Sequence, residues 1–183
     1  MRPEVAAGPL VLRKYEPTFA GLLCEAAQAS YSPEFAHYAP WCHAAYALAD
    51  SEKFVAQCIA DWQDGRAFLF ALFDAKTNEF CGGIGLNQFS PAHHFYNLGY
   101  WVRPSRQQQG LARQAVRHLA QAAFADLPTL ARLEILTLPD NLPSQRTALA
   151  AGATYEGLLR QRLRIGAAQH DALLYSLVRT DVA

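Results

Sequence analysis

The sequence predicts an α/β fold with a mixed central sheet of about seven strands and helices on both faces, and three observations carry that prediction. Short apolar runs of strand length alternate with longer stretches of helical period along the chain. Residues 95 to 112 pass from an apolar strand through a polar, glycine-bearing turn straight into a helix. The 183 residues are close to the usual size of one domain and can bury a full core. With no internal repeat and no low-complexity linker, a single domain over 1–183 is expected.

The elements follow in order. Leu10 to Tyr15 alternates and stops before Pro17, as an opening strand would. From Pro17 to Ser30, Phe19, Leu22, Leu23, Ala26 and Ala27 recur at helical spacing, so a helix with one buried face follows. Tyr31 to Leu48 reads as a long loop rich in aromatics, including Tyr38, Trp41 and Tyr46. Ordered loops of that length are usually binding loops or lids, which makes this one an expected binding surface, against the plainer reading of a surface flap. Ser51 to Gln63 is a second helix. Ala67 to Asp74 and Phe80 to Phe89 form a strand pair joined by a five-residue turn. Gly82, Gly83 and Gly85 weaken strand propensity there and point to a bulge or a close backbone approach. Phe95 to Arg103 is the next strand, stopped by Pro104. Gly110 to Asp126 is the clearest helix of the chain, Leu133 to Leu138 another strand, and Asn141 caps a helix that ends at Gly152. Tyr155 to Ile165 and Ala172 to Arg179 close the sheet.

Composition excludes several classes. No run approaches the 18 or so apolar residues that cross a bilayer, and Met1-Arg2-Pro3-Glu4 is no hydrophobic signal segment, so a cytoplasmic protein with no membrane partner is expected. Cys24, Cys42, Cys58 and Cys81 are scattered singly, which suits reduced core thiols and implies no metal. Formal charge is zero, which argues against non-specific nucleic-acid binding. The halves differ, however: residues 1–91 hold six Lys/Arg against ten Asp/Glu, and residues 92–183 hold ten against six. An anionic cofactor on one side and a cationic acceptor on the other fit this split, and so does ordinary scatter.

The strongest chemical signal is the turn into the best helix. Several backbone N–H groups converge there beside the positive end of a helix, which is how a chain cradles a pyrophosphate. Gly110 tolerates a positive φ and lets phosphate approach closely, Ala112 keeps that approach open, and Arg106 and Arg113 flank the loop as candidate charged contacts.

Gln107-x-x-Gly110-x-Ala112 resembles the acyl-CoA signature of the GNAT superfamily of N-acetyltransferases. The flanks are similar to its ribosomal-protein N-terminal, or Rim-type, branch. They comprise Ala39-Pro40-Trp41, Leu98-Gly99-Tyr100-Trp101, Pro139-x-Asn141-x-x-Ser144, Ala151-Gly152-Ala153 with Glu156-Gly157, and His170-Asp171 before Leu174-Tyr175-Ser176. In order these pieces cover about Val11 to Val178. Family members often carry a second glycine where this chain has Gln108.

The resemblance implies a GNAT fold in which the strands before and after the cradle part like a V, and acetyl-CoA lies in the gap. It implies that Trp101, Val102 and Arg103 offer backbone groups to the pantetheine arm, with the Val102 N–H aimed at the thioester carbonyl. Gln107, Gln108, Gln109, Gly110, Leu111, Ala112 and Arg113 would form the phosphate loop. Asn141 would touch the cofactor, and Ser144 would protonate the departing thiolate; both residues also read simply as helix-start residues. Related enzymes place a glutamate in the strand after Glu156-Gly157, where this chain has Arg160-Gln161-Arg162-Leu163. Glu134, His94 and Tyr96 therefore stand as candidates for the base, with Glu134 also readable as a salt-bridge partner and His93-His94 as a polar turn. Tyr38, Trp41 and Tyr100 are the candidate acceptor-binding residues. The implied activity is acetyl transfer to a primary amine, either a protein N-terminus or a small molecule, by direct attack. The competing class is a module that binds acyl-CoA without turnover. The family often forms dimers, which leaves a homodimer open.

Overall fold

The computed structural model describes residues 1–182. Among them the strands are β1 (Glu4–Ala7), β2 (Leu10–Lys14), β3 (Phe68–Asp74), β4 (Phe80–Ser90), β5 (Phe95–Val102), β6 (Arg132–Thr137), β7 (Thr154–Ile165) and β8 (Ala168–Val178). The helices are α1 (Ala20–Ser30), α2 (Pro33–Tyr38), α3 (Leu48–Gln63), α4 (Leu111–Asp126) and α5 (Leu142–Ala150). All eight strands join one sheet in the order β1-β2-β3-β4-β5-β6-β8-β7. Every neighbouring pair is antiparallel except β5 and β6, which run parallel.

Two elements are missing from the sequence expectation, and two others start earlier than expected, with β8 beginning at Ala168 rather than Ala172. β1 makes an eighth strand, because Gly8 at φ 63° turns the chain back so that Glu4–Ala7 pairs with Leu10–Arg13. Four residues are too few to show a period. The loop from Tyr31 to Leu48 contains α2, whose start is marked by Ser32 accepting from the Phe35 N–H at 3.0 Å and by Pro33 in the first helical position. α3 begins at Leu48, three residues before the expected start, with Asp50 accepting from the Ala47 N–H.

Each face of the sheet has its own core. On one face Leu111, Ala115, Val116, Leu119 and Ala123 of α4 pack on Leu12, Phe70, Ile84, Leu98 and Leu133. On the other, Leu23 of α1 and Val55 and Cys58 of α3 pack on Ala71, Phe73 and Phe80. The alternation of β3 explains both, since successive side chains enter opposite cores.

The glycine run of β4 is a close-approach site. A Cβ built on Gly82 would sit 2.2 Å from the Trp101 carbonyl oxygen, and one on Gly85 would sit 2.8 Å from the Leu69 Cα. β4 also carries a bulge between Asn87 and Ser90, with Gln88 at φ 51°. Bulges bend a strand and increase its twist. This one lies opposite Phe95–Asn97, the only stretch where β5 pairs with β6.

Gly82→Ala is expected to destabilise the chain by about 3 kcal/mol, because backbone rather than a flexible side chain blocks the new methyl group. Urea unfolding with fluorescence detection measures this.

Candidate active site

Past Asn97 and Glu134, β5 and β6 make no further pairs, although β5 runs on to Val102 and β6 stays zipped to β8 through Thr137. The consequence is a V-shaped split with unpaired backbone on both walls. The Arg103 N–H donates to Cys81 O at 2.9 Å across the β4 side. Peptide groups alternate along a strand, so the Val102 N–H faces the other way, into the split. The Val102 carbonyl is capped by Gln107 Nε2 at 2.9 Å, which ties the turn to the strand end.

Beyond that tie, the N–H groups of residues 108 to 113 donate to no protein acceptor among the described residues; the next one, of Gln114, bonds Gly110 O at 3.2 Å. Three of the six belong to the first turn of α4, where a helix leaves its donors free. Gln108 and Gly110 both have positive φ, 59° and 72°. A non-glycine residue in that region carries strain of order 1 kcal/mol, so the turn keeps its path at Gln108 in spite of the side chain. A loop with this many free donors beside a helix N-terminus suits a pyrophosphate, and the unpaired strand edges suit an extended amide-bearing arm.

The flanking arginines divide. The Arg106 guanidinium is bonded to the Asp74 carboxylate and, at 2.8 Å, to Glu79, pinning the turn to the β3–β4 connection; it is not the free phosphate ligand that its sequence position suggests. Arg103 pairs with Glu25 at 3.2 Å, donates to Phe80 O at 3.3 Å, and does not line the cleft. Gln109 also lies outside the lining, whereas Gln107, Gln108, Gly110, Leu111, Ala112 and Arg113 lie within it.

The split opens into one continuous cleft of about 1940 Å³ that reaches from this loop to α2. Ser144 stands on its α5 wall. Asn141 caps α5 by accepting the Ser144 N–H at 3.2 Å, so the two residues share the helix mouth. The Tyr100 hydroxyl crosses from β5 to this wall, donating to Ser144 O at 2.9 Å and lying 3.1 Å from Ser144 Oγ. Burial pushes the Tyr100 phenol up to about 12. At the far end Trp41 packs against Trp101 (5.1 Å between ring centres), Phe35 and Tyr46. α2 is strapped to the turn before α5 by His37 Nε2, 3.0 Å from Asp140 Oδ2, and by Tyr38 Oη donating to Asp140 O at 3.4 Å. Phe35, His37 and Asp140 gave no periodic signal; the Ser32-Pro33 helix start was the available clue.

The base candidates taken from the sequence fall elsewhere. Glu134 pairs with Arg132 at 3.3 Å and does not line the cleft, because strand alternation turns it to the face occupied by that arginine. Tyr96 is buried, its hydroxyl donating to Gly65 O at 2.7 Å, and His94 sits in the β4–β5 connection outside the lining. Asp171 accepts the Gln161 N–H at 2.8 Å, inside the register shift of β7 between Leu159 and Leu163. Glu34, His43 and Asp50 do line the cleft, toward its α2 end.

A family model for the acetyltransferase (GNAT) domain matches residues 10–154. The ribosomal-protein-serine acetyltransferase of Escherichia coli K12 is 33% identical over 129 residues, 70% of each chain. Solved structures that share the fold include two acetyltransferases. The microcin C7 self-immunity acetyltransferase MccE, in complex with acetyl-CoA and AMP, superposes with a TM-score of 0.83 at 24% identity, covering 93% of both chains. A Salmonella typhimurium acetyltransferase that modifies the N-terminal serine of ribosomal protein L7/L12 superposes at 0.77 with 22% identity, covering 96% of this chain and 98% of that one.

The Asp74 carboxyl is held well below the usual range, first by the Thr77 and Lys76 N–H groups and then by Arg106. A depressed carboxyl contributes stability above its unfolded pKa of about 3.9 and loses it as pH falls through the folded value. Asp74→Asn should therefore flatten the loss of stability between pH 4 and pH 2. Unfolding curves at a series of acid pH values check the slope.

Proposed function

This chain belongs to the GNAT acetyltransferase family, and from that premise we propose that it acetylates the N-terminal amine of a protein, using acetyl-CoA, by direct attack within the cleft. The observation that carries the reading is the junction of three features in one cavity: unpaired β5 and β6 edges, a loop of unpartnered N–H donors, and an aromatic acceptor end.

In this reading the amides of Gln108 and of Gly110 to Arg113, with the Arg113 side chain, hold the pyrophosphate, and the free edge of β5 holds the pantetheine arm. The Val102 N–H faces the thioester oxygen, where a donor aimed at developing negative charge is worth about 3 kcal/mol in the transition state. Ser144 donates to the sulfur as the carbon–sulfur bond breaks. Asn141 serves by capping α5 and so fixing where Ser144 stands. Trp41, Trp101 and Tyr38 frame the entry of the amine, and Glu34 and His43 stand where its proton must leave.

A protein terminus is favoured over a small amine by the size and continuity of the cleft. Its volume exceeds the roughly 300–1,000 Å³ of small-ligand pockets, so room remains for several acceptor residues beside a coenzyme. The name of the Escherichia coli relative points the same way.

Release of free CoA in the presence of acetyl-CoA and a panel of peptide N-termini, polyamines, amino acids and aminoglycosides tests both activity and acceptor class. Peptides beginning with a small residue should give the fastest release. Turnover with small amines alone would replace the peptide reading, and CoA binding without any turnover would identify a sensing module. Ser144→Ala should lower kcat on the order of 100-fold with little change in acetyl-CoA affinity. Gly110→Val should weaken acetyl-CoA binding at least about tenfold by calorimetry, since a β-branched residue resists positive φ.

A further inference from the structure

Tyr100 has a commitment that the acyl-transfer chemistry above leaves unused. It stands on β5 where that strand has left β6, two residues before Val102. Its hydroxyl nevertheless reaches the opposite wall and makes both of its close contacts with one residue, Ser144, at the carbonyl oxygen (2.9 Å) and at Oγ (3.1 Å). A carbonyl only accepts, so the phenol proton is given to Ser144 O. The Oη–Oγ contact is then made by the serine proton, donated to Oη. Ser144 Oγ–H is thereby parked on Tyr100.

We propose that Tyr100 is the positioning residue of the proton donor: its hydroxyl holds Ser144 Oγ at the level of the thioester and exchanges partners with it when the sulfur becomes negative. This rests on the acetyl-transfer reading. As the carbon–sulfur bond breaks, its electron pair goes to sulfur and Ser144 Oγ–H turns to hydrogen-bond the thiolate. The Tyr100 hydroxyl, keeping its proton, leaves Ser144 O and donates to Ser144 Oγ, which strengthens that bond. The proton released by the acetylated amine ends on the thiolate sulfur, so neither hydroxyl gives up its proton. Two donors in a chain polarise one another, which strengthens the bond to sulfur beyond what an isolated serine supplies.

Two features of the structure support this arrangement. The Ser144 N–H is already taken by Asn141, so the backbone of the helix start is fixed from one side while Tyr100 fixes it from the other. Burial keeps the phenol protonated to about pH 12, which leaves it a neutral donor throughout the working range.

The test uses the purified chain with CoA, the thiol product, so that no acceptor need be known. The pKa of the bound thiol is read from thiolate ultraviolet absorbance, and CoA affinity from calorimetry. Wild type should bind CoA with the thiol pKa lowered from its free value. Tyr100→Phe should raise it by about one unit while CoA affinity changes less than about twofold. Ser144→Ala should raise it likewise, and the double variant no further, because the two hydroxyls act as one unit. With the best acceptor from the screen, Tyr100→Phe should reduce kcat about tenfold and leave the acetyl-CoA KM nearly unchanged. A fluorinated tyrosine at position 100 keeps the shape, sharpens the donor and should lower the bound thiol pKa; it decides the matter if Tyr100→Phe does not fold. Normal CoA binding with the thiol pKa unmoved by Tyr100→Phe, whether or not Ser144→Ala moves it, overturns the positioning role alone. Absence of CoA binding by wild type overturns the acetyl-transfer reading and this inference with it.

Discussion

The parting of β5 from β6 is the constraint on which the rest of this molecule depends. A sheet that stops pairing in its middle exposes backbone donors and acceptors that elsewhere in the fold are satisfied. Such a gap persists only if both walls are held independently. β5 is held by β4, whose glycines let the two backbones close to distances that no side chain would allow. β6 is held by β8 along its whole length. The bulge in β4 lies opposite the stretch where β5 and β6 still pair, just before they part, and bulges bend and twist a strand.

Around that gap the polar groups divide into those that build the site and those left free for a ligand. Gln107 closes on Val102 O, Asn141 closes on the Ser144 N–H, and Arg106 closes on Asp74 and Glu79. What stays open is one sign of partial charge, a run of N–H groups at the start of α4, together with Arg113. The distinction is physical: carboxylates in the fold have captured the cations nearest the β3–β4 turn, so attraction for an anion is concentrated in the backbone rather than in flexible side chains. Backbone donors held by a helix and a strand end need little reordering when a ligand arrives, which lowers the entropy lost on binding.

The acceptor end is built on a different principle. It is closed by a short helix and an aromatic group rather than by the sheet, and α2 is fastened across the cleft by exposed contacts, His37 and Tyr38 on Asp140. Exposed pairs of this kind are worth little. The loop end of the cleft is thus held by the sheet and α4, and the α2 end by weak exposed ties; under the proposed function, this division suits a coenzyme at one end and an acceptor entering from solvent at the other.

Much of the fold was legible in the residues themselves because it depends on local rules. Periodicity placed the strands and α4, Asn141 and Gly152 bracketed α5, and the clustered glycines of β4 marked a close approach that the Trp101 carbonyl makes. The strand-turn-helix with Gly110 announced a loop of free amides, since helix starts leave donors unpaired whatever surrounds them. Local rules were silent on β1 and α2, too short to show a period, and on the fate of long side chains. Whether Arg106 meets a phosphate or Asp74, and whether Tyr100 touches an acceptor or Ser144, depends on residues 32 and 44 positions away; the pairing of Glu134 with Arg132, by contrast, follows from strand alternation. The chain alone therefore determined the order of elements and the turn that leaves its amides free. Only the tertiary structure decided which charges were neutralised and which hydroxyls met, because those outcomes depend on which strands and helices are brought side by side across the sheet.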